Sequence, residues 1–305
     1  MSRVRDASLF VALALLWGGG FTAIEVGLRE VPPVLLAAYR FDVAALTVFA
    51  GLAVVERGRL PVARTRGDWA AVAVSATLLI TANVVLLFFG QTYTTGAIAA
   101  VVYSLNPVLT AGFVSLLLPG GDFGVRDAVG VGLGIVGVGL VATPEPGSVV
   151  AADAIGVGLV FLAVVAVALG SVVLRRIDAT LAGTRLTGWA MAGAAVELHG
   201  VSLLVGEPVA LPTVPSTLGA LAFLGVGGSA AAYSIYFALL GRRGPFAVNL
   251  VSYVVPGVAA VTGWLLLGEE LGALAVAGFA CVVVGFAVVE RKALAAELGR
   301  LRATR

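Results

Sequence analysis

The sequence predicts an all-α integral membrane protein: ten transmembrane helices arranged as two inverted five-helix repeats, with both termini on the cytoplasmic side. Three observations predict it: a composition too apolar for a water-soluble fold, ten apolar runs of spanning length, and basic residues gathered on one side. Of 305 residues, 60% are hydrophobic and 12% charged, with a mean hydropathy of +1.08. Soluble domains carry about 25% charged residues because water must wet their surfaces. A water-soluble fold is excluded on that ground. Bilayer hydrocarbon is roughly 30 Å thick and a helix rises about 1.5 Å per residue, so one crossing takes on the order of 20 apolar residues.

Apolar runs between charged or Pro/Gly breaks predict helices at 7–28, 33–55, 69–89, 94–118, 126–142, 154–174, 186–205, 216–240, 245–267 and 271–289. The first run follows Arg3 and Arg5 and imitates a signal peptide. It is long for such a segment and nine more runs follow, so it reads as a retained first helix. With the N-terminus inside, seventeen of the nineteen basic residues fall in cytoplasmic segments; only Arg29 lies outside and Arg40 within a helix. The opposite loops, 144–153, 206–215 and 268–270, carry acids and no bases. That asymmetry is the positive-inside pattern of an N-in, C-in protein. The basic tail, 291–305, reads as a solvated cytoplasmic end.

Five is odd, so a duplication at the midpoint inserts its second copy upside down. Aligning Pro107 with Pro256 pairs Ala82 with Ala231, Phe88 with Phe237 and Ala111 with Ala260. After a one-residue gap, Gly130 and Gly137 meet Gly278 and Gly285. The repeats are read as 1–145 and 146–290. Inverted repeats of this kind place a binding site near the bilayer midplane, where the halves meet.

Gly132, Gly134 and Gly137 spell a dinucleotide-binding GxGxxG, but inside an apolar helix and not between a strand and a helix, as that motif requires. Gly130 and Gly134 stand at GxxxG spacing, which lets helix backbones approach closely in lipid. The fifth helix is therefore expected to pack tightly on a neighbour. Pro107 and Pro256 each remove a backbone donor within a helix, freeing carbonyls that lipid cannot satisfy. Tyr103, Ser104 and Asn106 cluster near the first proline, and Asn249, Ser252 and Tyr253 near the second.

Arg40 and Asp42 in the second helix, and Glu197 and His199 in the seventh, are ionisable groups within spans; Glu25 lies near the end of the first. Each costs roughly 2.5–3.5 kcal/mol at depth by insertion scales, so such groups face protein or water. Two residues apart on a helix point about 200° from each other, so neither pair is a local ion pair. One member of each is expected to reach into a cavity or across to another helix. His199, the only histidine, lies near its helix end and reads as snorkelling toward the interface. Glu197 lies deeper and reads as a protonatable coupling group. The one cysteine, Cys281, sits in an apolar run and reads as a small buried hydrophobe. No GxxxxGK[ST], HExxH or GxSxG occurs, so no ATP-driven pump or enzyme is expected.

Several short signatures follow this layout in order: Leu16-Trp17-Gly18 with Phe21; Ala37, Ala38, Arg40 and Phe41; Pro107; Pro256; Gly268-Glu269; and Gly278 with Gly285. With them the chain resembles the EamA-type ten-helix transporters of the drug/metabolite transporter superfamily, from about residue 7 to 290. The resemblance implies a central cavity between two inverted halves, with the fifth and tenth helices set apart from it. By helix and depth it carries to that cavity Trp17, Asn83, Tyr103, Asn106, Tyr233, Tyr236, Asn249 and Tyr253. Arg40, Asp42, Glu197, His199, Pro107 and Pro256 are the expected gating or coupling residues. One departure stands out: Pro119, Gly120, Gly121 and Asp122 end the fourth helix where the family shows a Gly-Glu pair like Gly268-Glu269.

The expected function is alternating-access movement of a small organic metabolite, amino acid or drug-like solute across the plasma membrane, with export implied by the resemblance. Polyanions are disfavoured because Arg40 is the one deep base. The alternative is a structural or lipid-handling, flippase-like protein. Expected partners are the solute, the lipid bilayer and, as candidate coupling ion, the proton. No cofactor, metal or nucleic acid is expected, and the assembly is read as a monomer or homodimer.

Overall fold

In a solvent that offers no hydrogen bonds, a chain closes its own, and each apolar run does so as a helix. The computed structural model describes residues 2–57, 62–118, 124–142, 150–181 and 183–291. Pro119 to Asp122 and the tail beyond Arg291 lie outside that set. Among the described residues the regular elements are all helical and form ten rods. These are α1 (Ser2–Leu28), α2 (Pro33–Val55), α3 (Arg66–Gly90), α4 (Gly96–Leu117) and α5 (Val125–Val141). There follow α6 (Val150–Leu174), α7 (Thr184–Leu204), α8 (from Pro215), α9 (Val251–Leu267) and α10 (Ala273–Val289).

Local chemistry fixes several ends. Pro33 occupies the first turn of α2, where a missing N–H costs nothing. Thr65 and Asp68 form a reciprocal capping box at α3. Gly268 ends α9 in the left-handed region, φ 72°, with its N–H on Trp264 O and that of Glu269 on Gly263 O.

Six rods are long and apolar enough to cross a membrane: α1, α2, α3, α4, α6 and α8. The apolar rods α9 and α10 have 17 residues each, about 25 Å of helix, short of a hydrocarbon layer of roughly 30 Å. Rods stand at all ten expected places, most ends within a few residues of expectation but the eighth running nine residues past its expected end and the ninth starting six later, whereas ten full-length spans are not what length and composition alone support.

Two features depart from regular helix. α3 contains a π-helical stretch, Ser75–Ala82, and α8 another, Phe223–Ala231. They end at Ala82 and Ala231, the residues paired by the alignment of the two prolines. Where the sequence predicts a break at 241–244, the backbone stays helical to Asn249, and Leu250 alone separates it from α9. α4 breaks at Ser104 and Leu105, so Pro107 stands in the first turn of a new segment, Asn106–Leu117. Pro256 stays inside α9.

Glycines set the closest approaches. A Cβ on Gly137 would stand 2.6 Å from Gly278 O, and one on Gly130 would stand 2.7 Å from Gly285 O. The tight partner expected for α5 is therefore α10. Gly18 likewise admits α9, its Cβ position lying 2.9 Å from Val255 O.

Carboxylates stitch the ends of the rods. Glu30, in the turn after α1, accepts from Thr213 N (2.7 Å), Thr213 Oγ1 (2.6 Å) and Val214 N (3.2 Å) at the start of α8. These bonds, led by the Thr213 hydroxyl, hold the Glu30 carboxyl down to about 2. Glu207, after α7, accepts from Val34 N (2.9 Å) and Leu35 N (2.8 Å) at the start of α2. Asp68, at the start of α3, accepts from Thr180 N and Leu181 N, both 2.8 Å, between α6 and α7. Asp6 of α1 pairs with Arg242 (2.6 Å) and Arg243 (2.7 Å), and Glu56 with Arg185 (2.8 Å).

Candidate functional site

Polar side chains from five rods meet around Arg40. From α2 its guanidinium reaches α8, donating from Nε to Ser229 Oγ at 3.0 Å. It lies over two rings, with its Cζ 5.2 Å from the Phe41 centroid and 5.9 Å from that of Phe88 in α3. Tyr103 of α4 and Tyr233 of α8 are its electrostatic neighbours. Tyr103 donates from its hydroxyl to Asn83 Oδ1 at 3.1 Å and packs edge-on against Phe21 of α1 at 5.9 Å. Trp17 of α1 meets Tyr233 at 6.1 Å and Tyr236 at 5.6 Å.

The two π stretches adjoin this group. Asn83 follows the first directly, Tyr233 stands two residues past the second, and Ser229 lies within it. A π turn adds a residue to the helix and shifts every side chain beyond it, a device frequent at functional sites. Trp17, Arg40, Tyr103, Tyr233 and Tyr236 lie among the rods, yet each keeps accessible surface. Among the described residues, no carboxylate lies within ion-pairing distance of Arg40.

Of the expected site residues, the structure thus brings together Trp17, Arg40, Asn83, Tyr103, Tyr233 and Tyr236. Asn106 accepts from Thr110 Oγ1 at 3.3 Å within its own segment. Tyr253 packs on Phe286 of α10, with centroids 4.6 Å apart, away from the arginine. The side chain of Asn249 lies outside the described residues. Asp42 reaches across to α7, where its Oδ2 is 2.8 Å from His199 Nε2, both side chains about two-fifths exposed. The two residues of α2 diverge as their spacing requires, and His199 is held by a partner, not merely snorkelling. Glu197 Oε1 accepts from Thr77 Oγ1 of α3 at 2.8 Å.

Sequence reasoning missed Ser229, which is fully buried. Its only signal was a hydroxyl amid the small residues Gly225, Gly227 and Gly228 in the predicted mate of α3. Among the described residues no group of three or more His, Cys, Asp or Glu is placed to hold a metal.

The apolar rods thus hold one arginine among hydroxyls and aromatic rings, and the family match gives the class of protein that carries it. The EamA-like transporter family is matched twice, at residues 6–143 and 154–291. The chain belongs to that family and is a multi-pass membrane transporter. It is 30% identical over 283 residues to the uncharacterized inner membrane transporter YedA of Escherichia coli strain K12, covering 90% of this chain and 88% of that one. A probable amino-acid metabolite efflux pump of Salmonella typhimurium is 25% identical, covering 93% of this chain and 94% of the pump. A solved crystal structure shares the fold with a TM-score of 0.64 at 21% identity, over 97% of this chain and 99% of that one.

Proposed function

We propose that the protein exports a small organic solute bearing one carboxylate, of the amino-acid or related metabolite kind, by alternating access to the Arg40 cluster. The observation that carries this reading is Arg40 itself, a deep guanidinium hydrogen-bonded to Ser229 and, among the described residues, with no carboxylate within ion-pairing distance. A charge taken from water without a counter-ion is costly, and a planar guanidinium matches a carboxylate with two parallel donors. Trp17, Tyr233 and Tyr236 supply aromatic surface for the rest of the solute, and a single base suits one negative charge, not a phosphorylated compound. Export is in keeping with the name of the Salmonella relative.

The mechanism follows from inversion. Ten membrane-crossing rods in two inverted halves, 1–145 and 146–290, with both termini cytoplasmic, rock about the cluster and expose it to each side in turn. The paired π stretches and the double family match support the repeat. So do the reciprocal ties: the start of α2 is capped from the end of α7 by Glu207, and the end of α2 is bound to the start of α7 by Glu56 and Arg185. Asp42 with His199, and Glu197 with Thr77, tie α7 to α2 and α3 and are the gating contacts; Glu197 remains a candidate for proton coupling. Counterflow of labelled amino acids and carboxylates into sealed proteoliposomes tests the reading. The expected result is exchange of a monocarboxylate that Arg40→Met lowers about 10-fold or more, the factor for one charge-assisted contact. Scrambling of lipid without solute exchange would favour the lipid-handling alternative.

A further inference from the structure

Away from the arginine cluster, two acidic side chains from different rods converge on one N–H. The backbone N–H of Gly96, at the first turn of α4, lies 3.2 Å from Glu25 Oε2 and 3.3 Å from Glu269 Oε1. Glu25 comes from the last turns of α1. Glu269 comes from the residue after Gly268, whose left-handed turn folds the chain back onto α9 and sets the carboxyl against Gly263, where any Cβ would collide with it. Because both acids reach the same Gly96 N–H, their carboxyl oxygens are brought side by side, where two negative charges repel unless a proton lies between them.

Glu25 is the ionisable group that faces Glu269 from α1, and α4 presents the N–H groups of Gly96 and Ala97. From the turn between α3 and α4 comes Gln91, 4% exposed, with Nε2 on Phe21 O at 3.0 Å and 3.3 Å from the Cβ position of Gly96. Its Oε1 is buried without a partner, as are Thr94 Oγ1 and Glu269 Oε2. A helix N-terminus favours negative charge, but the N–H groups of Gly96 and Ala97 are few for two carboxyls set among orphaned oxygens.

We propose that Glu25 and Glu269 hold one proton between them, and that this proton latches the ends of α1 and α9 to the first turn of α4. One carboxyl donates its O–H to the other, and Gly96 and Ala97 supply the remaining donors. Loss of the proton leaves two carboxylates facing each other across the Gly96 N–H that they share, and the three helix ends separate. Burial first, and Glu25 second, push the Glu269 carboxyl up to about 7, so the latch closes and opens in the physiological range. The proton site stands on this geometry alone; its use to drive solute rests on the transport reading.

Infrared titration of the reconstituted protein between about pH 5 and pH 9, with no solute present, tests the site directly. The expected result is a protonated-carboxyl band that disappears with a midpoint near 7, is missing from Glu269→Gln, moves to lower pH in Glu25→Gln and is unchanged in Glu197→Gln. Absence of that band from the wild-type protein overturns the proposal whether or not the variants fold. So does a band untouched by Glu269→Gln, or one abolished by sodium at constant pH, which would assign the oxygens to a metal cation. In vesicles, Glu269→Gln is expected to lose pH-gradient-driven flux and keep exchange at equal pH. Loss in Glu197→Gln instead would remove the latch from coupling.

Discussion

Arg40 shows how much a residue's chemistry can say before its neighbours are known. A lone base in an apolar run had to face protein or a cavity, and it does, between Ser229 and two phenylalanine rings. Its divergence from Asp42 followed from helical geometry alone. Ser229, Glu207 and Glu269 were not legible in the same way, because their partners lie more than 170 residues away and no local pattern announces them. Since a buried charge without a counter-ion is a burden on the fold, Arg40→Met is expected to unfold at the same temperature as the wild type or higher while losing exchange. Thermal unfolding beside counterflow separates the two effects. Glu207→Ala strands two N–H groups of α2 and is expected to cost about 1 kcal/mol, read as a lowered Tm. Glu30 has a folded-state value below its unfolded one of about 4.5, so its contribution is full above that pH and is lost as pH falls toward about 2. Glu30→Gln is expected to flatten that acid limb in a pH series of unfolding temperatures.

Among the helices, hydropathy located most rods to within a few residues, because lipid leaves a chain little choice but to be helical through an apolar run. It could not see the π stretches of α3 and α8, since an inserted residue changes which way side chains face but not how apolar the run is. The continuation of α8 through Arg242 and Arg243 was hidden for a different reason. Charged and glycine residues read as a loop, whereas these two arginines are held in helix by Asp6 of α1. Glycine spacing was the better guide: α5 was expected to lie close to a neighbour, and it meets α10 backbone to backbone at Gly137 and Gly278. Gly137→Leu puts a side chain where Gly278 O stands, and overpacking of this kind costs about 1–3 kcal/mol. The expected outcome is a lower Tm with solute exchange retained in the folded fraction, because this pair stands apart from the arginine cluster.

At the scale of the whole molecule, the two segments matched by the family, 6–143 and 154–291, hold one another's helix ends. Glu30 of the first half caps α8 of the second, Glu207 of the second caps α2 of the first, and Asp68 of the first gathers Thr180 and Leu181 of the second. Such contacts are short and polar, whereas the Arg40 cluster is walled by aromatic rings; the proposed rocking of two halves needs the former to hold while the latter opens. The acids that make these ties lay at helix ends, where no local pattern in the sequence announces a distant partner. The proposed transport cycle requires that one cluster be reached from both faces of the membrane, and a single cysteine can report it. In a Cys281→Ala background, Tyr236→Cys is treated with a membrane-impermeant thiol reagent from either face of sealed vesicles. Labelling from both faces, slowed from both by the transported solute, is the expected result. Labelling from one face only, with and without solute, would contradict it.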